Sequence, residues 1–311
     1  MRFLAVLARI FFVIKNFKPK EILPRRKTTL APQIQRLHLA DPQDLLQPSI
    51  KKNKSSQAVL IARNGAYFAV FGKNIFISCG KIIIINYLKI IEGFNMREQV
   101  IKEILEKKII AIVRGATETE AVKAAEALYA GGVTLVEVTF NQKAPETFVN
   151  TANAIRAIKE KMGGKMLVGA GTVTSVELVE LAASAGASYI ISPDTDPAVI
   201  KRTRELGLVS LPGAYTPTEA KIAHNAGADF VKLFPCVGDA VSYVKAISAP
   251  LNHIRFLAVG GVNENNARDF LKAGALGVGV GGNLVNREWI AKGEFEKITE
   301  VAKKYVENLN S

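Results

Sequence analysis

A lysine within an apolar segment is the side chain of this sequence best suited to covalent chemistry. Lys232 lies in the run Phe230–Pro235, where burial would lower the pKa of its amine, and a neutral amine can attack a ketone to form a Schiff base. Glu137 lies in a second apolar run, Leu135–Phe140, and could move protons beside that amine. Alternatively, the two side chains form a buried ion pair without a chemical role. The two residues by themselves support both interpretations equally.

The segments that must position these side chains form a regular series after Met96. Short apolar runs alternate with amphipathic segments that begin at Ser, Thr or Asn and end at Gly, as capped helices do. The apolar runs show little alternation, which is typical of parallel strands covered on both faces. Eight strands are predicted, near residues 109–114, 133–140, 166–171, 188–193, 207–212, 228–234, 255–260 and 276–281.

Eight β/α units within residues 96–311 predict an α/β fold, a (β/α)8 TIM barrel, with a doubly wound sheet as the alternative. The active site of such a barrel lies at the carboxyl ends of its strands. Applied to the predicted strands, this rule selects Lys232 and Glu137 together with a group of polar and small residues: Arg114, Thr139, Thr172, Pro212, Gly260, Gly261, Gly281, Gly282 and Asn283.

Some of these residues suggest anion binding. The glycine pairs Gly260-Gly261 and Gly281-Gly282 end the last two predicted strands, where many barrels bind phosphate through backbone N–H groups. Glycines can equally serve only to make tight turns. Arg114 and Thr172 could bind a carboxylate, or could each cap a surface loop.

Metal chemistry is not indicated by the sequence. The histidines His38, His224 and His253 do not cluster with carboxylates, and Cys79 and Cys236 show no zinc or disulfide spacing. We therefore expect no metal ion and a reducing, cytoplasmic setting. No uncharged apolar run reaches the roughly 18 residues of a membrane-spanning helix, so we expect no membrane partner.

The charge of the chain is concentrated in its first third. Residues 1–95 hold 16 of the 41 Lys and Arg residues but only 4 of the 28 Asp and Glu residues. Residues 96–311 are therefore nearly neutral, and the high overall positive charge does not indicate that the barrel binds nucleic acid.

Residues 1–95 are predicted to be a basic extension of low order, with residues 17–56 disordered because they are polar and lack periodicity. The Ile, Lys, Asn and Phe of residues 73–95 are typical of translated AT-rich DNA. This composition predicts that Met96 is the true start of translation, a hypothesis that mass spectrometry of the cellular protein would test. A membrane-surface anchor or a nucleic-acid-binding tail are the alternatives.

Residues 96–310 resemble the 2-keto-3-deoxy-6-phosphogluconate (KDPG) and 4-hydroxy-2-oxoglutarate (KHG) aldolase family. Seven motifs occur in the family's order along the predicted barrel, and none of them lies in residues 1–95. The motifs are Ala111–Arg114, Glu137–Thr139, Gly169–Val173, Ile191–Pro193, Pro212–Gly213, Val231–Pro235 and Gly260–Val262.

The resemblance implies a class I aldolase that forms a homotrimer and needs no cofactor. Its implied substrates are 2-keto-3-deoxy-6-phospho-sugar acids, either KDPG or its galactonate epimer, or 4-hydroxy-2-oxoglutarate, which it would cleave to pyruvate and an aldehyde. Lys232 would be the Schiff-base lysine and Glu137 the general acid and base. Val259 stands where many phosphogluconate-type members have Thr, as in phosphogalactonate-type relatives. The implied substrate-binding positions are Arg114, Thr139, Thr172, Pro212, Phe234 and Val259, and the implied phosphate-binding positions are Gly260, Gly261, Gly281, Gly282 and Asn283.

Two other functions remain open at this point. A sugar-phosphate epimerase or isomerase could use a similar phosphate-binding barrel without an imine. A non-enzymatic scaffold, with a basic extension that binds a membrane or nucleic acid, would show salt-sensitive binding that is lost when residues 1–95 are removed.

Overall fold

The computed structural model describes residues 96–311, and the backbone of three strands in the preceding segment. These strands, β1 (Val59–Arg63), β2 (Ala66–Phe71) and β3 (Asn74–Ile77), form an antiparallel sheet in the order β1-β2-β3. They were not among the predicted strands. The predicted disorder of residues 17–56, as well as His38 and Cys79, lies outside the described residues.

The second unit of the chain, Asn86–Ser311, contains a parallel sheet with the strand order β8-β7-β6-β5-β4-β12-β11-β10-β9. Each helix or loop connection returns the chain to the next strand in the same direction, which produces the predicted α/β barrel. The strands are β4 (Ile109–Val113), β5 (Leu135–Thr139), β6 (Leu167–Gly171), β7 (Tyr189–Ile191), β8 (Val209–Leu211), β9 (Gly213–Ala214), β10 (Val231–Leu233), β11 (Phe256–Val259) and β12 (Gly277–Val280).

The barrel closes through a single segment that is divided by Pro212. Strand β8 pairs with β7, whereas β9, two residues further on, pairs with β10 on the other side. Proline has no N–H to donate, so it interrupts a ladder, but the Pro212 carbonyl still accepts the N–H of Lys232 at 2.8 Å. The nine short strands therefore correspond to the eight predicted ones, and the closed sheet excludes a doubly wound fold.

Helices cover the outside of the barrel, and several begin where the sequence predicted caps. The side chains of Thr117, Ser175 and Thr216 each accept a backbone N–H at a helix start. The helices are α1 (residues 96–107), α2 (Glu118–Ala130), α3 (Phe148–Met162), α4 (Val176–Ser184), α5 (Pro197–Glu205), α6 (Pro217–Asn225), α7 (Ala240–Ser248), α8 (Ala267–Lys272), α9 (Arg287–Lys292) and α10 (Phe295–Asn310).

Helix α1 closes the amino-terminal end of the barrel. Its side chains Val100, Ile101 and Ile104 are buried in one cluster with the lower interior residues of the strands, such as Leu135 and Phe230. This packing fills the floor of the barrel with apolar atoms and leaves the opposite, carboxyl end as the place for a site.

Two arginines that contact Asp229 help to hold α1 against the sheet. The guanidinium of Arg97 donates to the carboxylate of Asp229, which also accepts from Arg204 at 2.6 Å and from the N–H of Ser210 at 3.0 Å. Burial raises the pKa of Asp229, while its hydrogen bond to Ser210 and the charge of Arg97 act in the opposite direction. Within the described part of the chain, no helix is long and apolar enough to cross a membrane.

Candidate active site

Lys232 and Glu137 face the same interior space at the carboxyl end of the barrel. Lys232 is the central residue of β10 and is 7% exposed, and Glu137 is the central residue of β5 and is 2% exposed. The space is lined by both side chains and by an apolar wall of Ile110, Ile112, Ile191, Leu211, Leu257, Val259 and Gly279. The side chains of Lys232 and Glu137 therefore project into the barrel, while their neighbours on each strand point to the other face.

The pair is not a direct ion pair. Among the described residues, the nitrogen–oxygen contacts within 4.0 Å include none between Lys232 and Glu137. Both groups are therefore buried around one interior space without a direct ion pair between them. This geometry favours the chemical interpretation over the structural ion pair that the sequence left open.

Burial shifts the pKa values of both groups toward their neutral forms. Burial lowers the pKa of the Lys232 amine, and the Arg114 charge lowers it further, while Glu137 opposes both. Burial likewise raises the pKa of Glu137, against the charges of Lys232 and Arg114. A neutral amine beside a carboxyl group that can hold or release a proton is the combination that imine chemistry requires.

Two residues that the sequence analysis did not name as site residues, Gly171 and Tyr189, help to place Glu137. A methyl group added at Gly171 would lie 2.7 Å from a Glu137 carboxylate oxygen, so this glycine leaves the room that the carboxylate occupies. Tyr189 is fully buried, and its hydroxyl donates to the carbonyl of Val136, the residue before Glu137, at 2.6 Å. Both residues lie at positions of their strands that face the barrel interior. The two-residue repeat of a β-strand is the sequence signal that could have identified them.

Three of the other residues predicted to bind substrate lie near Lys232 or Glu137. The amine of Lys232 lies 4.8 Å from the ring centroid of Phe234, a distance typical of a cation–π contact. Arg114 directly follows β4, is exposed, and is close enough to influence both buried charges. Thr139 is buried at the end of β5, and its methyl group lies against Gly171.

Three further residues predicted to bind substrate differ in whether they line the interior space. Thr172 follows β6 with a φ of 56°, in the left-handed region that a β-branched residue rarely adopts. Val259 lines the interior space directly. Pro212 is buried in the barrel wall and contacts Lys232 through its backbone carbonyl, but it does not line that space.

The two glycine pairs differ in whether the backbone conformation and the neighbouring atoms require glycine at their positions. Gly260 and Gly261 have φ values of 93° and 67°, and a methyl group at Gly261 would lie 2.2 Å from the carbonyl oxygen of Cys236. Turn geometry alone therefore explains that pair. Gly281 and Gly282 have no positive φ, and a methyl group at Gly282 would have no atom within 4 Å. Open space thus lies above Gly282, whereas a methyl group at Gly281 would contact Ile112 at 3.9 Å.

Asn283 connects the two glycine loops. Its side-chain amide donates to the carbonyl of Val262 at 2.8 Å, so this nitrogen is engaged by the protein. Within residues 96–311, no three His, Cys, Asp or Glu side chains come together in a group that could hold a metal ion.

Comparison with known proteins agrees with this geometry. The family model described as "KDPG and KHG aldolase" matches residues 100–301. A probable 2-dehydro-3-deoxy-6-phosphogalactonate aldolase of Rhizobium meliloti is 38% identical over 181 residues, which cover 58% of this chain and 82% of that protein.

Two solved structures are also similar to this chain in both fold and sequence. A structure described as native KDPGal is 34% identical with a TM-score of 0.59, and the match covers 65% of this chain and 94% of that one. The KDPG aldolase of Legionella pneumophila, with pyruvate captured as a covalent carbinolamine intermediate, is 26% identical with a TM-score of 0.57; that match covers 63% of this chain and 93% of the other.

Proposed function

Because the chain belongs to the KDPG and KHG aldolase family, we propose that it cleaves 2-keto-3-deoxy-6-phospho-sugar acids to pyruvate and an aldehyde through a Schiff base on Lys232. The observation that carries this proposal is that Lys232 and Glu137 are both buried and line one interior space. A sugar-phosphate epimerase is not favoured, because the family and the similar proteins above are aldolases.

In the proposed reaction, the neutral amine of Lys232 adds to the C2 ketone to form a carbinolamine. Glu137 then donates a proton to the departing hydroxyl, and loss of water leaves an iminium. The carboxylate of Glu137 takes the proton of the C4 hydroxyl as the C3–C4 bond breaks, and the bond's electrons enter the iminium to form an enamine. Protonation at C3 and hydrolysis release pyruvate and regenerate the amine.

Binding of the keto-acid end is assigned to the polar groups around Lys232. Arg114 supplies a positive charge for the substrate carboxylate, and Thr172 and Thr139 lie at the ends of neighbouring strands. The barrel, residues 96–311, is proposed to carry the whole site, because every assigned residue lies between Arg114 and Asn283.

The distal phosphate is assigned to Gly281-Gly282, with Gly260-Gly261 and Asn283 completing the loops. Support comes from the open space above Gly282, where a ligand could approach the backbone closely and where the fold itself does not require glycine. Backbone N–H groups at such a turn are suited to a phosphate.

The substitution Gly282→Ala tests this assignment. A methyl group there meets no protein atom, so the thermal midpoint should be unchanged or slightly raised. The KM for phosphorylated substrates should rise by roughly tenfold or more, because hydrogen bonds to a charged group would be obstructed. Pyruvate, which has no phosphate, should be trapped as in the unmodified protein. An unchanged KM for the phosphorylated substrates would exclude Gly282 from the phosphate site.

For the natural substrate we propose the phosphogalactonate-type epimer. Val259 lines the interior space with a side chain that cannot hydrogen-bond, and the Rhizobium meliloti relative carries that substrate in its name. The test is the kcat/KM for pyruvate release from KDPG, its galactonate epimer and 4-hydroxy-2-oxoglutarate. We expect the galactonate epimer to be preferred; similar weak rates on all three would indicate a broad keto-acid aldolase, and no pyruvate from any would refute the proposed function.

We further propose a cytoplasmic homotrimer. Exposed apolar side chains near the carboxyl end of the barrel, Tyr215 at 49% and Val237 at 64% exposure, support association with other copies. The Tyr215 ring stacks on that of Tyr243 at 5.2 Å. Cys236 is a free buried thiol, in keeping with a reducing compartment.

A further inference from the structure

The backbone of Thr172 depends on its surroundings. Its φ of 56° is unfavourable for a β-branched side chain, and such conformations persist only where neighbouring groups hold them. Thr172 follows the last residue of β6 and is assigned above to the keto-acid end. The contacts that hold its peptide therefore determine where its hydroxyl lies.

Three successive carbonyls of this turn accept hydrogen bonds from outside it. The Gly171 carbonyl accepts the N–H of Phe140 at 2.9 Å, and the Val173 carbonyl accepts the Ser192 hydroxyl at 2.6 Å. Both of these donor residues are buried. Between them, the Thr172 carbonyl accepts the side-chain amide of Gln142 at 2.8 Å. Of these three residues, Thr172 is the strained one, and its carbonyl is the one that accepts from an exposed side chain.

Gln142 is presented by a turn that is itself held in place. The N–H of Lys143 donates to the Asn141 side chain at 3.2 Å, and the N–H of Ala144 donates to the Asn141 carbonyl at 3.0 Å. This turn follows β5, the strand that carries Glu137. Gln142 therefore links the loop after the Glu137 strand to the turn that contains Thr172.

We propose that Gln142 is a positioning residue, whose side-chain amide holds the Thr172 peptide so that the threonine hydroxyl stays in place for the keto acid. The inference rests on the proposed function in one respect, that Thr172 binds the keto-acid end. Gln142 itself does not line the space around Lys232 and Glu137, so its effect passes through Thr172.

The variant Gln142→Met in the full chain removes the donor while keeping the length and neutral charge of the side chain. The measurement is the pyruvate concentration that gives half-maximal reductive trapping on Lys232. We expect this concentration to rise roughly three- to tenfold, the worth of one hydrogen bond, with the kcat for cleavage changed less than about twofold. Gln99→Met, at an exposed position of α1, is the matched control and should change neither quantity.

A double-mutant cycle separates positioning from a general loss of structure. Thr172→Val removes the hydroxyl and retains the branched side chain, so adding Gln142→Met to it should raise the half-maximal pyruvate concentration no further. Fully additive effects, or an unchanged concentration in the single Gln142→Met variant, would overturn the proposal.

A crystal structure of the Gln142→Met variant decides the matter independently of activity. We expect the φ of Thr172 to leave the left-handed region when the amide is removed. Retention of a φ near its present 56° would refute the positioning role, even if the unmodified protein trapped no pyruvate. That latter result would count against the proposed function alone, so failures of the two proposals are distinguishable.

Discussion

Replacing Lys232 with alanine is expected to abolish both pyruvate release and reductive trapping of pyruvate. Among the residues 96–311 that the structure describes, Lys232 supplies the one amine that lines the interior space, and without a nitrogen nucleophile neither the carbinolamine nor the iminium can form. Turnover should fall by roughly 10⁴-fold or more, to the background, because the covalent step has no substitute. Mass spectrometry after borohydride treatment with pyruvate measures the adduct directly.

Two further variants make the Lys232 result interpretable. Lys232→Met keeps most of the volume of the side chain and removes a buried amine, so it should fold while remaining inactive. Lys201→Ala removes an exposed lysine from α5 and should trap pyruvate as the unmodified chain does. Pyruvate release retained in both Lys232 variants would eliminate an imine on Lys232 as the mechanism of cleavage.

Glu137→Gln should lower kcat by roughly 10²- to 10⁴-fold, the usual contribution of a positioned general acid and base. The amide fills the space beside Gly171 but cannot exchange protons with the carbinolamine or with the C4 hydroxyl. A slow imine should still form on Lys232, because the amine itself is intact. The predicted signature is therefore strongly reduced cleavage with residual trapping.

The same variant should alter the pH dependence of trapping. Glu137 opposes the effect of burial on the pKa of Lys232, so removing its charge should lower that pKa further. The neutral amine then persists to lower pH, and the trapping profile of Glu137→Gln should shift to lower pH than that of the unmodified protein.

Glu160→Gln, at an exposed position of α3, is the matched control for Glu137→Gln. It should change neither the cleavage rate nor the trapping profile. Unimpaired cleavage in Glu137→Gln would show that proton transfer uses another group and that Glu137 only balances charge in the barrel.

Much of this protein follows from its sequence because the relevant signals are local. Apolar runs without alternation identified the barrel strands, and Thr117, Ser175 and Thr216 marked helix starts, since capping depends on groups only a few residues apart. The rule that sites lie at strand ends then selected Lys232 and Glu137 before any contact was known.

Only the tertiary structure decided questions that depend on atoms distant in the chain. The sequence could not show whether Lys232 and Glu137 form a direct ion pair, because they lie on different strands, β10 and β5, whose side chains meet only in the folded barrel. Nor could it show that the close approach of Cys236 requires Gly261, whereas no neighbouring atom requires Gly282 to be glycine. Residue types and spacing determined which chemical groups are present; three-dimensional packing alone determined their distances, their burial and hence their pKa values.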